Sequence, residues 1–266
     1  VAAAKSPPGL QECWRDIAET AAKPNAAVRR NQMKKIQLHA YAKINLTLDV
    51  TGKRPNGYHD VEMIMQQISL CDEVTVSWEA GSVRRGKPGQ TAEPDPTGIQ
   101  IQLTVSRSDL PADSSNLAWK AAEEMIAEFG GPAGGNAKTA AGTDAADGSS
   151  KTAAGTEAAG GVLTIDIQKQ IPMAAGLAGG SSNCAAVLHA INQLWELNLS
   201  VKELCRIGAR LGSDVPFCIM GQAAAEKALQ GSFADDPDAC HCALATGTGT
   251  TLKPLKKGLR SHLVLS

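Results

Sequence analysis

Between residues 36 and 50 every even position is apolar (Ile36, Leu38, Ala40, Ala42, Ile44, Leu46, Leu48, Val50) and every odd one is polar or amphipathic. Period two over this length predicts a strand, one bent or two consecutive, with Lys43 and Asn45 side by side on the face away from the core. Residues 61–70, 73–78 and 99–105 continue in strand patterns. The period then changes. Asp113-Ser-Ser-Asn116 stands before Leu117, Ala121, Met125 and Phe129, which are capping residues followed by helical spacing. Residues 162–167 alternate as a strand, and a helix is predicted over 181–197. Ser200-Val-Lys-Glu203 forms a capping box for another helix, with Leu204, Ile207 and Leu211 on one face and Gly212 at its end. Phe217 to Met220 has the look of a short apolar strand, and 222–246 of an irregular, Ala/Asp-rich stretch.

Three stretches stand outside this pattern. Residues 1–32 form an N-terminal extension in which Leu10, Trp14, Ile17 and Ala21 fit one face of a short helix. Residues 130–160 are rich in Gly, Ala and Thr and contain the near-duplicates Lys138-Thr-Ala-Ala-Gly-Thr-Asp-Ala-Ala146 and Lys151-Thr-Ala-Ala-Gly-Thr-Glu-Ala-Ala159, the composition of an insertion. Residues 259–266 resemble the opening strand of a further domain.

Charge and composition exclude several classes. With 26 Lys+Arg against 27 Asp+Glu the net charge is −1, which offers nothing to nucleic acid or an anionic membrane. An aromatic content of 3% argues against a base-stacking platform. Seven scattered cysteines fit reduced thiols better than a disulfide framework, and no second Cys/His pair joins Cys240-His241-Cys242 to make a metal site. Without a long apolar run, the expectation is a soluble, cytoplasmic protein.

The candidate chemistry centres on Ile171-Pro-Met-Ala-Ala-Gly-Leu-Ala-Gly-Gly-Ser-Ser-Asn-Cys184. A loop of small residues leading directly into a helix presents unpaired N–H groups and a positive dipole end, which is a cradle for phosphate. Gly176, Gly179 and Gly180 can take positive φ, and Ser181, Ser182 and Asn183 add polar caps. The spacing matches neither the Walker loop nor the dinucleotide fingerprint. Pro55-Asn56-Gly57 predicts a tight turn, followed by Tyr58 and His59, flat side chains suited to a base. Asp214, between a helix and the apolar run, is a turn or cap residue by default and a candidate base beside a phosphate loop.

Taken in order, Ala42-Lys-Ile-Asn-Leu46, Arg54-Pro-Asn-Gly-Tyr-His59, Ser115-Asn-Leu117, the loop and Gly212-Ser-Asp-Val-Pro-Phe217 resemble the GHMP kinase superfamily, most of all the branch acting on cytidylated methylerythritol. The resemblance implies an α+β fold, a mixed sheet packed with helices of the ribosomal protein S5 domain 2-like type, over residues 33–258. It implies ATP and Mg²⁺, with no metal ligand assigned. Pro172, Met173, Ala174, Ala175, Gly176, Leu177, Ala178, Gly179, Gly180, Ser181, Ser182 and Asn183 would hold the ATP phosphates, with Lys169 and Asn116 near the nucleotide. Asp214 would be the general base with Lys43 beside it. Asn45, Tyr58 and His59 would bind the small-molecule acceptor, which would receive a phosphate on its 2-hydroxyl in non-mevalonate isoprenoid biosynthesis. A Lys–Asp pair favours the ionised Asp and steadies the transferring group.

Departures from the pattern leave alternatives open. Ala174 and Ala178 stand where the superfamily often has Gly, which calls for negative φ at both. The insertions about 130–160 and 222–246 are unusual, and the family's C-terminal ferredoxin-like domain is expected to be truncated. A non-catalytic nucleotide-binding fragment, another small-molecule kinase and a homodimer all remain compatible with the sequence.

Overall fold

One long strand organises the molecule. In the computed structural model, which describes residues 33–55, 57, 59–81, 98–132, 160–228, 233, 235–259 and 261 (backbone only at 227 and 228), β1 (Lys34–Lys53) pairs antiparallel with β2 (His59–Ala80) along its whole length. All of these residues belong to the unit Met33–Ser266. The extension 1–32, the duplicated segment, Asn56 and Tyr58 lie outside the described residues. β2 shares its other edge between two partners. Glu73 to Ala80 pairs with β4 (Gly161–Gln168), and Val61 to Gln66 pairs with β5 (Cys242–Gly247), both antiparallel. β3 (Ile99–Val105) lies parallel to β4, and β6 (Thr251–Pro254) closes the far edge, giving the order β3-β4-β2-β5-β6 with β1 beside β2.

The parallel β3–β4 pair requires a crossover, supplied by α1 (Leu117–Phe129). Asn116 caps it as expected, its Oδ1 accepting the Ala118 N–H at 2.9 Å. α2 (Gly179–Leu194), α3 (Val201–Leu211) and α4 (Val215–Ala228) come next along the chain. The Ser200–Glu203 capping box is formed in both directions. Val74, Val76, Trp78, Leu163, Ile165 and Ile167 from the sheet are buried with α1 and α2 residues in one core. Within it Trp78 and Trp195 meet edge to face, their ring centroids 5.8 Å apart. A second, small cluster joins Ala42 to Ile171 and Leu177. Among the described residues no helix is long and apolar enough to cross a membrane.

Several expectations are corrected. Residues 61–70 and 73–78 are one strand. α2 begins at Gly179 and ends at Leu194, so Leu197 lies outside it. Phe217 to Met220 belongs to helix α4. Val215, Phe217, Ile219, Met220 and Ala223 are all buried there, as are Gln222 and Glu226, so the helix is enclosed on all sides and shows no 3.6-residue apolar period. The stretch 222–246 is partly regular, carrying the end of α4 and most of β5.

The largest correction concerns Lys43. Register shifts fall between Tyr41 and Lys43 and between Asn45 and Thr47. At the first, Ile68, Ser69 and Leu70 of β2 stand opposite Ala42 alone, and at the second β1 carries one extra residue. The even positions hold the inside only as far as Ala40 and Ala42. Lys43 turns inward and is buried, whereas Leu48 and Val50 are more than half exposed.

Candidate active site

The first register shift of β1 is where the small-residue loop of residues 172–178 attaches. The Ser182 hydroxyl donates to the Tyr41 carbonyl at 2.7 Å. The Lys43 N–H donates to the Leu177 carbonyl at 3.1 Å. The loop is thus stitched to β1 on both sides of the bulge, while Ile171 and Leu177 anchor its ends in the small apolar cluster. The Lys43 side chain, 6% exposed, places its Nζ 3.5 Å from Asp214 Oδ2 and 3.3 Å from Asn45 Oδ1. Burying an ammonium costs free energy unless a carboxylate and hydrogen-bond acceptors receive it, and both are present here.

Asp214 stands at the head of α4, its carbonyl accepting the Cys218 N–H at 3.1 Å. Its carboxylate, 30% exposed, remains open to a ligand. The Ser182 Oγ lies 3.5 Å from Cys218 Sγ, so the first turns of α2 and α4 are neighbours. Two positive helix ends therefore converge beside the Lys43–Asp214 pair. Burial pushes the Cys218 thiol up to about 12, which leaves it un-ionised and inert.

Pro172 through Gly176 are exposed, as a binding loop requires. Positive φ occurs at Ala174 (54°), Gly176 (71°) and Ala178 (55°). Two expectations fail here. Gly179 and Gly180 are not in the left-handed region but are the first helical residues of α2. Both alanines take the positive φ that glycine was expected to supply. Gly179 instead sits in a tight space, since a Cβ there would lie 3.1 Å from Ile171 Cγ2 and 3.2 Å from Lys169 Nζ, and those side chains would have to give by a few tenths of an ångström. The loop thus stores strain at Ala178, a left-handed N-cap without a side-chain bond. Ala178→Gly is expected to raise stability by up to about 1 kcal/mol, because relief of about 1–2 kcal/mol exceeds the added backbone entropy. The urea midpoint checks this, and a lower midpoint would contradict it.

Of the polar residues at the α2 start, Ser182 and Asn183 are buried and already bonded within the protein. The half-buried Ser181 hydroxyl makes no hydrogen bond among the described residues. Asn116 is similarly engaged, its Nδ2 donating to the Pro111 carbonyl at 2.8 Å. Leu117 next to it faces Gly180. Lys169 does not reach out to solvent but pairs with Asp72 and donates to Asn183 Oδ1 at 3.0 Å. His59 begins β2 opposite Lys53, at the far end of the hairpin from Lys43. The turn joining them is closed as expected, the Gly57 N–H donating to the Arg54 carbonyl at 3.0 Å. The structure therefore brings Lys43, Asn45, Asp214 and the loop together and leaves His59 apart.

Sequence reasoning missed Asp72 and the engagement of Ser182. The only signal for Asp72 was a carboxylate in a core-facing position of a strand. A 470 Å³ depression lined by Asn192, Asn198, Phe233 and Asp236 lies toward the other end of α2, about 20 Å away by helical rise, and takes no part in the site.

The fold recurs among known proteins. Residues 116–222 match the family model of the GHMP kinases N terminal domain. The chain is 39% identical over 197 residues to the 4-diphosphocytidyl-2-C-methyl-D-erythritol kinase of Alkaliphilus metalliredigens (strain QYMF), covering 74% of this chain and 52% of that one. Against the Alkaliphilus oremlandii (strain OhILAs) protein of the same name it is 36% identical over 233 residues, covering 88% and 58%. The crystal structure of a 4-(cytidine 5'-diphospho)-2C-methyl-D-erythritol kinase aligns with a TM-score of 0.50 at 27% identity, over 83% of this chain and 55% of the other. The chain spans about half the length of the curated relatives it matches.

Proposed function

Because this chain carries the N-terminal domain of the GHMP kinases, we propose that it phosphorylates the 2-hydroxyl of 4-diphosphocytidyl-2-C-methyl-D-erythritol with ATP, a step of the non-mevalonate route to isoprenoid precursors. The observation that carries this reading is the 3.5 Å approach of Lys43 Nζ to Asp214 Oδ2 beside a loop bonded to the Lys43 N–H itself.

Phosphoryl transfer asks a protein mainly for positioning and for charge stabilisation. The loop from Pro172 to Asn183 supplies backbone N–H groups to the phosphates, reinforced by the α2 and α4 dipoles. Asp214 takes the proton of the acceptor hydroxyl as its oxygen attacks the γ-phosphorus, and ADP leaves with the electron pair of the broken bond. Lys43 holds the Asp214 carboxylate in place and faces the transferring phosphoryl group with its charge. Asn45 fixes the Lys43 head, and the cytosine end of the acceptor extends along the hairpin, away from the Lys43–Asp214 pair, toward Tyr58 and His59. Asn116 borders the nucleotide, and Lys169 lies beneath the loop with its charge on Asp72. Mg²⁺, when bound, neutralises phosphate charge. The half-buried Ser181 hydroxyl, without a hydrogen bond among the described residues, would be a protein oxygen for it beside the phosphates and water, leaving the Asp214 carboxylate as the base.

The test is mass spectrometry of the products after incubation with ATP, Mg²⁺ and the cytidylated acceptor, with homoserine and mevalonate as rivals. A new phosphate on the cytidylated acceptor alone is the expected result. Preference for a rival acceptor would reassign the chain to another small-molecule kinase, and nucleotide binding without turnover would reduce it to a binding fragment.

A further inference from the structure

A carboxylate with no exposed surface lies at the root of the phosphate loop, and phosphoryl transfer as described leaves it without a role. Asp72, on β2 opposite Ala40, is fully buried. Each of its oxygens receives two donors. Oδ1 accepts the N–H groups of Gln170 at 2.6 Å and Ile171 at 2.8 Å. Oδ2 accepts Asn183 Nδ2 at 2.8 Å and the Lys169 ammonium. Lys169 closes a ring by donating to Asn183 Oδ1 at 3.0 Å.

The placement of these donors matters in two ways. Lys169, Gln170 and Ile171 form the stem leading into the loop, and Asn183 lies in the early turns of α2, the stem leading out. One buried charge therefore sets the separation of the two stems, and with it the direction in which the intervening N–H groups point. The Lys169 charge is also spent internally, its side chain being only 5% exposed. Its head packs against the exit stem, at 3.2 Å from where a Cβ on Gly179 would lie. Buried ions hold together in this way only when every lone pair and proton is matched, and removing one partner leaves the others uncompensated.

We propose that Asp72 is a positioning residue for the nucleotide: it holds the phosphate loop in its binding shape, with Lys169 as its counter-ion and not as a phosphate ligand. This rests on the proposed ATP site.

The experiment measures the affinity of the full chain for AMPPNP with Mg²⁺ and for the cytidylated acceptor by calorimetry, together with hydrogen exchange of the loop amides. Asp72→Asn is expected to weaken AMPPNP binding by about ten- to a hundredfold. Acceptor affinity should stay within about twofold, since the acceptor touches neither stem. Lys169→Met should weaken AMPPNP similarly, and the charge-free double variant no more than the worse single one. A double variant whose loss is the product of the two singles would overturn the proposal, because Lys169 would then touch the nucleotide independently. Equal loss of both ligands would overturn it too, as general destabilisation. Should Asp72→Asn fail to fold, Asn183→Ala, which keeps both charges, carries the same pair of affinities. If the unmodified chain binds no AMPPNP, the kinase reading fails. The clamp is then still decided by exchange at residues 170–181, where unchanged rates in the variant would refute it.

Discussion

Replacing Asp214 by Asn is expected to lower turnover of the cytidylated acceptor by about 10²–10⁴-fold while nucleotide affinity stays near its original value. The amide keeps the shape of the carboxylate at the head of α4 but cannot take a proton. Lys43, 6% exposed, would lose its only carboxylate within 4 Å among the described residues and keep Asn45. Part of the loss therefore comes from an under-compensated ammonium, and part from the missing base. Single-turnover measurement separates chemistry from binding. If turnover of the variant stays within tenfold of the original, Asp214 is a structural partner of Lys43 and not the base.

The second large effect is on stability. Trp195→Ala should cost about 3–5 kcal/mol, a large part of the 5–15 kcal/mol that holds a typical domain together. Trp195 is 1% exposed and meets Trp78 edge to face across the central core. Its indole N–H has no hydrogen-bond partner among the described residues, so Trp195→Phe gives up aromatic area but no polar bond. The phenylalanine variant should keep most of the stability that the alanine variant loses. Urea unfolding followed by far-UV circular dichroism ranks the three proteins, and an equal loss in both variants would show that the indole matters for more than its volume.

The sequence was most legible where local chemistry acts alone. Asn116 and Ser200 cap their helices because each side chain bonds an amide two or three residues on, a fact that needs no tertiary knowledge. β3 likewise spans the residues its alternation predicts. Legibility fell where packing decided. The run from Phe217 to Met220 gave no helical signal because it is buried on all sides, and burial on all sides erases periodicity. Lys43 was assigned to the wrong face because an alternating pattern carries no mark of irregular pairing, and here three residues of β2 stand opposite Ala42 alone. Ala174 and Ala178 take positive φ because Ile171 and Leu177 pin the loop ends, which outweighs the local preference of alanine. The candidate site was named largely by motif, and its order along the chain said that Lys43 and Asp214 belong together. Asp72 went unnamed because its partners lie about a hundred residues away, and nothing local to it records them.

The Lys43–Leu177 bond runs through the main-chain amide of residue 43, a group that every amino acid but proline brings with it. Side-chain exchange at this position therefore removes the charge and leaves the tether standing. Methionine at 43, which keeps most of the buried volume, would report on the charge, alanine would add a cavity, and proline would cut the seam that holds the cradle to the sheet.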